Sequence, residues 1–129
     1  MFRQLKKAAG LAAAILATTT MISTAQADAY PEKAITLVVP YGAGGASDLA
    51  GRALAETARS YTDGQPVVVV NKTGNGGMNG ARFVTEQKPD GYTLLLSRVG
   101  MALYPAVYAD SPVGWDDYTF LGILESTPM

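Results

Sequence analysis

Twice along this chain a run of β-branched and aliphatic residues empties into a glycine-rich stretch, and each stretch opens a segment of helical character. The first run is Ile35-Thr36-Leu37-Val38-Val39-Pro40, followed by Tyr41-Gly42-Ala43-Gly44-Gly45-Ala46-Ser47-Asp48. The second is Val67-Val68-Val69-Val70-Asn71, followed by Lys72-Thr73-Gly74-Asn75-Gly76-Gly77-Met78-Asn79-Gly80. Neither run alternates apolar with polar residues, as expected of strands covered on both faces of a parallel sheet. A glycine loop at a helix start leaves backbone N–H groups without intrahelical partners, and the helix dipole makes that end partly positive. Two such ends on one rim make a cradle for a carboxylate or phosphate. A single loop of this kind is more simply a tight turn. The repetition of the same order favours the cradle.

Between these landmarks the pattern predicts alternating elements. Ser47 reads as the N-cap of a first helix, with Asp48 at its positive end. Leu49, Ala50, Ala53, Leu54, Thr57 and Ala58 are expected on its inward face, with Arg52, Glu56 and Arg59 opposite. Gly51 costs about 1 kcal/mol relative to alanine inside a helix, which points to close packing. Tyr61 to Pro66 turns the chain into the second strand. A second helix is expected from Asn79 to Lys88, with Met78, Ala81, Phe83 and Val84 inward, stopped by Pro89-Asp90-Gly91. Tyr92 to Leu96 reads as a third strand ending at Ser97. Met101 to Tyr108 reads as a third helix containing Pro105. Asp110 to Tyr118 is a loop holding Trp115, and Thr119 to Leu124 reads as a further strand. The fold class is therefore α/β, a parallel sheet with strand–loop–helix crossovers of right-handed sense. Ligands of open α/β sheets bind outside the carboxyl ends of the strands, which puts both glycine loops and Ser97 on one rim.

Residues 1–27 have the form of a signal peptide. Arg3, Lys6 and Lys7 give a positive start, Ala8 to Ala17 a short apolar stretch, and Ala25-Gln26-Ala27 a small-x-small cleavage site. The apolar stretch is shorter than the roughly 20 residues of a bilayer span. An exported, periplasmic chain beginning at Asp28 is the expectation. Setting those three basic residues aside leaves seven basic against eleven acidic, a net charge of −4. No basic patch stands out, so no nucleic-acid partner is expected. The absence of cysteine and histidine removes disulfides, thiolate metal sites and the commonest general base. No carboxylates are spaced as metal ligands, and neither metal nor cofactor is expected. Residues 28–129 read as a partial lobe, the front part of a longer protein, because Thr119 to Leu124 has no following element to pack on it.

A nucleotide-binding reading and a hydrolytic one both meet obstacles in the same residues. Gly74-x-Gly76 followed by Gly80 misses the dinucleotide fingerprint, since position 79 is Asn, and no acidic residue ends the third strand to hold a ribose. Neither loop carries Gly-Lys-Ser/Thr. Ser47 or Ser97 as a nucleophile would need a base from Lys, Asp or the missing half of the protein. Their plainer roles are helix cap and strand-end hydrogen bonder. Asp48 is more plainly an acid stabilised by the helix dipole and turned away from any bound anion. Tyr41 either packs its ring over the sheet end or lines a cleft and offers its hydroxyl.

The run Tyr30-Pro31-Glu32-Lys33-Ala34-Ile35-Thr36-Leu37-Val38-Val39-Pro40-Tyr41, then Ala43 to Asp48 and Arg52, resembles the opening of the Bug family. These are the periplasmic solute receptors of tripartite tricarboxylate transporters. Gly64 to Val69, Asn71, Gly74, Gly76-Gly77, Gly80-Ala81, Pro89 to Leu95 and Pro105-Ala106-Val107-Tyr108 continue the likeness in order. The resemblance implies the first lobe of a type II periplasmic-binding-protein fold, incomplete, with the second lobe absent. It implies capture of a small organic acid, delivery to membrane permease subunits, and a monomer that makes and breaks no bonds. Carried onto this sequence, the family's carboxylate contacts fall at Gly44, Gly45, Ala46, Ser47 and Asp48, and at Gly76, Gly77, Met78 and Asn79. Ser97 lies alongside, and Tyr41 is a further lining candidate. Lys72-Thr73 departs from the family's usual Arg-Pro. Arg98 replaces the usual small or polar residue and either pairs with a second carboxylate of the ligand or is solvated on the rim. The alternatives are an exported α/β enzyme whose catalytic base lies in missing sequence, or a truncated fragment without function.

Overall fold

The computed structural model of the protein describes residues 29–124, with the side chains of Ala102 and Trp115 excepted. The expected signal segment, Met1 to Ala27, lies outside the described residues. Strand β1 spans Ile35–Val39, helix α1 Ala46–Ala58, strand β2 Val67–Asn71, helix α2 Met78–Thr85, strand β3 Thr93–Leu95 and helix α3 Gly100–Val107. Short 3-10 turns at Arg59–Tyr61, Asn75–Gly77 and Trp115–Asp117 complete the order. The sheet is parallel throughout, in the order β2-β1-β3, with Leu37 opposite both Val69 and Leu94.

The central strand explains its own sequence. β1 is flanked on both sides, and Ile35, Leu37, Val38 and Val39 are buried. Burying each such side chain contributes roughly 1.5–3 kcal/mol before the entropy of ordering it. β2, at the edge, is only half-buried, and its Val68 is exposed. Beyond β3 the ladder continues for one bond, from Leu96 N–H to the Val38 carbonyl at 2.9 Å.

Helix α1 lies on the sheet through Gly51. A Cβ there would stand 3.1 Å from Val39 Cγ2 and 3.3 Å from Leu96 Cδ2, the close packing that a mid-helix glycine implied. The inward face differs from the one expected. Ser47, Asp48, Gly51 and Ala55 are buried, whereas Leu49 is 60% exposed and Ala53 and Thr57 face outward. A hydropathy count cannot anticipate this, because the buried turn of the helix is polar. Helix α2 ends at Thr85, short of the expected Lys88. It packs through Ala81 into a cluster with Tyr104 and Val113, flanked by Met78, Leu95, Met101 and Tyr118.

Two strand expectations need correction. β3 has three residues, not five. Thr119 to Leu124 forms no strand among the described residues, and Phe120, Leu121 and Ile123 are exposed. β-Propensity is expressed only where an edge is available to pair with, and that segment meets none here.

Candidate functional site

The carboxyl ends of β1, β2 and β3 form a rim, and the first glycine loop crosses it between β1 and α1. The loop is shaped by one acid. Asp48, in the first turn of α1, is only 2% exposed. Its Oδ2 accepts hydrogen bonds from the Gly44 N–H at 2.9 Å and from Arg52 Nε at 2.9 Å. Its Oδ1 accepts from Asn71 Nδ2 at 2.9 Å. Asn71 Nδ2 also donates to the Tyr41 carbonyl at 3.0 Å, tying the end of β2 to the start of the loop. The Arg52 guanidinium first, then the Gly44 amide and the Asn71 side chain, hold the Asp48 carboxyl well below the usual carboxylate range. An anion so engaged is a poor proton acceptor. Asp48 is a staple of the loop, not a general base.

That staple leaves the helix start open. The N-cap is Gly45, extended at φ −77° and ψ 167°, with no side-chain cap, so Ser47 does not play the capping role expected of it. Among the described residues the amides of Ala46, Ser47 and Asp48 meet no protein acceptor, the first helical bond being Leu49 N–H to the Gly45 carbonyl at 3.0 Å. Ser47 is buried, and its Oγ accepts from Arg98 Nε at 2.7 Å. Tyr41, Gly42, Ala43, Gly45, Ala46, Ser47 and Arg98 line a cavity of about 500 Å³ at this point. Among the described residues no acidic side chain lines it.

The second loop is built differently. Gly74 and Gly77 adopt φ of +116° and +108°, values that side chains other than glycine rarely take. The backbone then closes on itself. Gly77 N–H donates to the Gly74 carbonyl at 3.0 Å, Met78 N–H to Asn75, and Asn79 N–H to Gly74 at 3.5 Å. Tyr104 Oη donates to the Gly76 carbonyl at 2.5 Å, and Asn79 Nδ2 to the Thr73 carbonyl at 3.3 Å. The amides of Gly77, Met78 and Asn79 are therefore engaged within the turn. The two loops come close: a Cβ at Gly77 would lie 3.3 Å from Tyr41 Cε1 and 3.4 Å from Pro40 Cβ.

The site residues proposed from sequence thus separate by position. Tyr41, Gly45, Ala46 and Ser47 share the cavity wall. Gly44 and Asp48 lie behind it as loop and staple. Gly77 approaches the Tyr41 ring, whereas Gly76, Met78 and Asn79 are not part of the cavity wall. Ser97 lies two residues beyond β3, beside Arg98, and its hydroxyl donates to the Arg98 carbonyl at 3.4 Å. Sequence reasoning gave Asn71 and Tyr104 no role. The contacts that give them one span 23 and 28 residues and have no local signal.

Comparison with known proteins follows the same lines. The tripartite tricarboxylate transporter family receptor (TctC) pattern matches residues 50–129. A UPF0065 protein of Agrobacterium vitis is 41% identical over 121 residues, covering 90% of this chain and 34% of the relative. Protein BugT of Bordetella pertussis is 40% identical over 98 residues, covering 71% and 30%. Among solved structures, the periplasmic binding protein BugD shares 43% identity at a TM-score of 0.62, with 70% of this chain and 29% of BugD covered. MatC of Rhodopseudomonas palustris, solved with bound malate, shares 32% identity at a TM-score of 0.60, covering 66% and 29%. The chain spans about a third of the length of the curated relatives it matches. A parallel sheet with its open helix end on the strand-end rim has the fold of the periplasmic binding proteins. The chain belongs to the tripartite tricarboxylate transporter receptor family.

Proposed function

We propose that this chain supplies part of the ligand-binding lobe of an exported receptor that captures a small carboxylate for a tripartite tricarboxylate transporter. The reading includes a cleaved signal peptide over residues 1–27, a periplasmic location, a monomer, and membrane permease subunits as the partners that receive the ligand. It is a binding function: the acid is held and released unchanged, with no catalytic step. The observation that carries it is the open start of α1, where the Ala46, Ser47 and Asp48 amides meet no acceptor among the described residues, and Ala46 and Ser47 line a cavity whose wall holds no acidic residue among those described. Backbone donors at a helix N-terminus favour a carboxylate without requiring a formal positive charge. Relatives of this chain are solute-binding proteins, and malate occupies one of them. The second loop would contribute mainly shape, and Ser97 and Tyr41 the flanks.

Ala46→Pro is the direct test. Ala46 is the first helical residue, where proline is tolerated, and the extended Gly45 before it suits a following proline. Ala46 is exposed, so the ring has room. The substitution removes one amide donor and keeps the helix. Losing one hydrogen bond to a charged group costs about 1.5–3 kcal/mol, so carboxylate affinity measured by calorimetry falls about tenfold or more with an unchanged circular dichroism spectrum. Unchanged affinity would remove the helix start from the site. A carboxylate recovered chemically altered after incubation would replace the receptor with an enzyme.

A further inference from the structure

Arg98 occupies a position that the open helix start alone does not explain. Its Nε is fixed on Ser47 Oγ at 2.7 Å, across 51 residues of sequence, and its side chain forms part of the cavity wall. That single contact orients the guanidinium and leaves its two terminal nitrogens without a protein acceptor among the described residues. The carboxylate next to Ser47 in the chain, Asp48, is buried and engaged by Gly44, Arg52 and Asn71. A guanidinium therefore stands next to the partly positive end of a helix with no acid between them. Both attract an anion, and the guanidinium, exposed to solvent, is accessible to one. One carboxylate satisfies the helix amides. The planar fork of an arginine is matched to another, which it grips through two parallel N–H groups.

We infer that Arg98 is the specificity-determining residue of the pocket, selecting ligands that carry a second carboxylate over those that carry one. The inference rests on the receptor reading above and adds to it the charge class of the ligand. Ser47 holds both halves of the device. Its amide faces the first carboxylate, and its hydroxyl anchors the arginine that meets the second. A cavity of about 500 Å³ has room for a small diacid.

The test uses matched acids that differ only in one carboxylate, butyrate against succinate and benzoate against terephthalate, titrated calorimetrically into the full-length protein and its Arg98→Ala and Arg98→Lys variants. The wild-type protein prefers the diacid of at least one pair. Arg98→Ala lowers that preference about tenfold, and Arg98→Lys restores part of it, since the charge returns without the fork. Equal losses for both members of a pair, or no loss of either, would overturn the assignment of Arg98 and leave the receptor reading standing. A wild-type protein that binds the monoacid as tightly as its diacid overturns it as well. Failure of the wild-type protein to bind any of the four acids counts against the receptor reading itself, and the role of Arg98 falls with it.

Discussion

Gly80→Ala separates the two ways in which glycine serves this fold. Gly80 is the third residue of α2, and the helix crosses the end of β1 at that point. A Cβ there would lie 2.7 Å from the Lys72 carbonyl oxygen, 2.7 Å from Pro40 Cβ and 3.0 Å from Pro40 Cα. Two of those three atoms are backbone. Neither can retreat alone, because Lys72 N–H is bonded to the Val39 carbonyl at 2.9 Å, closing the β1–β2 ladder. Overpacking of this type typically costs about 1–3 kcal/mol, and the gain in helix propensity returns at most about 1 kcal/mol. The net expectation is a loss of about 1–2 kcal/mol. With a urea m-value of about 1–3 kcal/mol/M, the unfolding midpoint falls by on the order of 0.5–1 M. Gly51→Ala is the matched control. Its neighbours, Val39 Cγ2 and Leu96 Cδ2, are side-chain tips that can give by a few tenths of an ångström. There the propensity gain offsets the crowding, and the midpoint stays within about 0.3 M of wild type. Gly80→Ala should also displace Gly77 from the Tyr41 ring, so it weakens carboxylate binding where Gly51→Ala does not. A Gly80→Ala midpoint equal to or above wild type would refute the account of how α2 seats on β1.

Two further substitutions probe the interior. The Asp48 carboxyl titrates lower in the folded protein than its unfolded value of about 4, so its stabilising effect is complete above that pH and is lost as pH falls further. Asp48→Asn removes that dependence: the decline of the urea midpoint from pH 5 to pH 2 becomes shallower, and an unaltered decline would contradict the staple. Tyr118 packs against the Tyr104–Val113 cluster, and burial pushes its hydroxyl up to about 12. That hydroxyl meets no hydrogen-bond partner among the described residues. Tyr118→Phe is therefore neutral or slightly stabilising by thermal denaturation, and the variant's ultraviolet titration lacks the phenolate step near pH 12. A loss beyond about 1 kcal/mol would mean that the hydroxyl is satisfied.

What the sequence made legible was local. Runs of valine and isoleucine, and glycines at the ends of those runs, are short-range signals, and they yield the parallel sheet, its crossovers and the common rim. The inward face of α1 was not legible, because Ser47 and Asp48 are buried by hydrogen bonds to Arg98, Asn71 and the Gly44 amide rather than by hydrophobicity. The two glycine loops look alike as strings, yet only the first leaves its helix start open. The difference comes from Asp48, which draws Gly44 aside, and from Asn75 and Gly76, whose positive φ folds the second loop back on itself. Thr119 to Leu124 carries strand-like residues without a strand, since pairing depends on a neighbour that no local pattern encodes.

The open start of α1 also has a bearing on how such a protein changes over generations. An N–H group belongs to every residue type but proline, so substitutions at Ala46 leave the donor in place while altering what surrounds it. Drift at that surface can retune the neighbourhood without dismantling the anchor, and a single codon at position 98 is enough to alter the company it keeps.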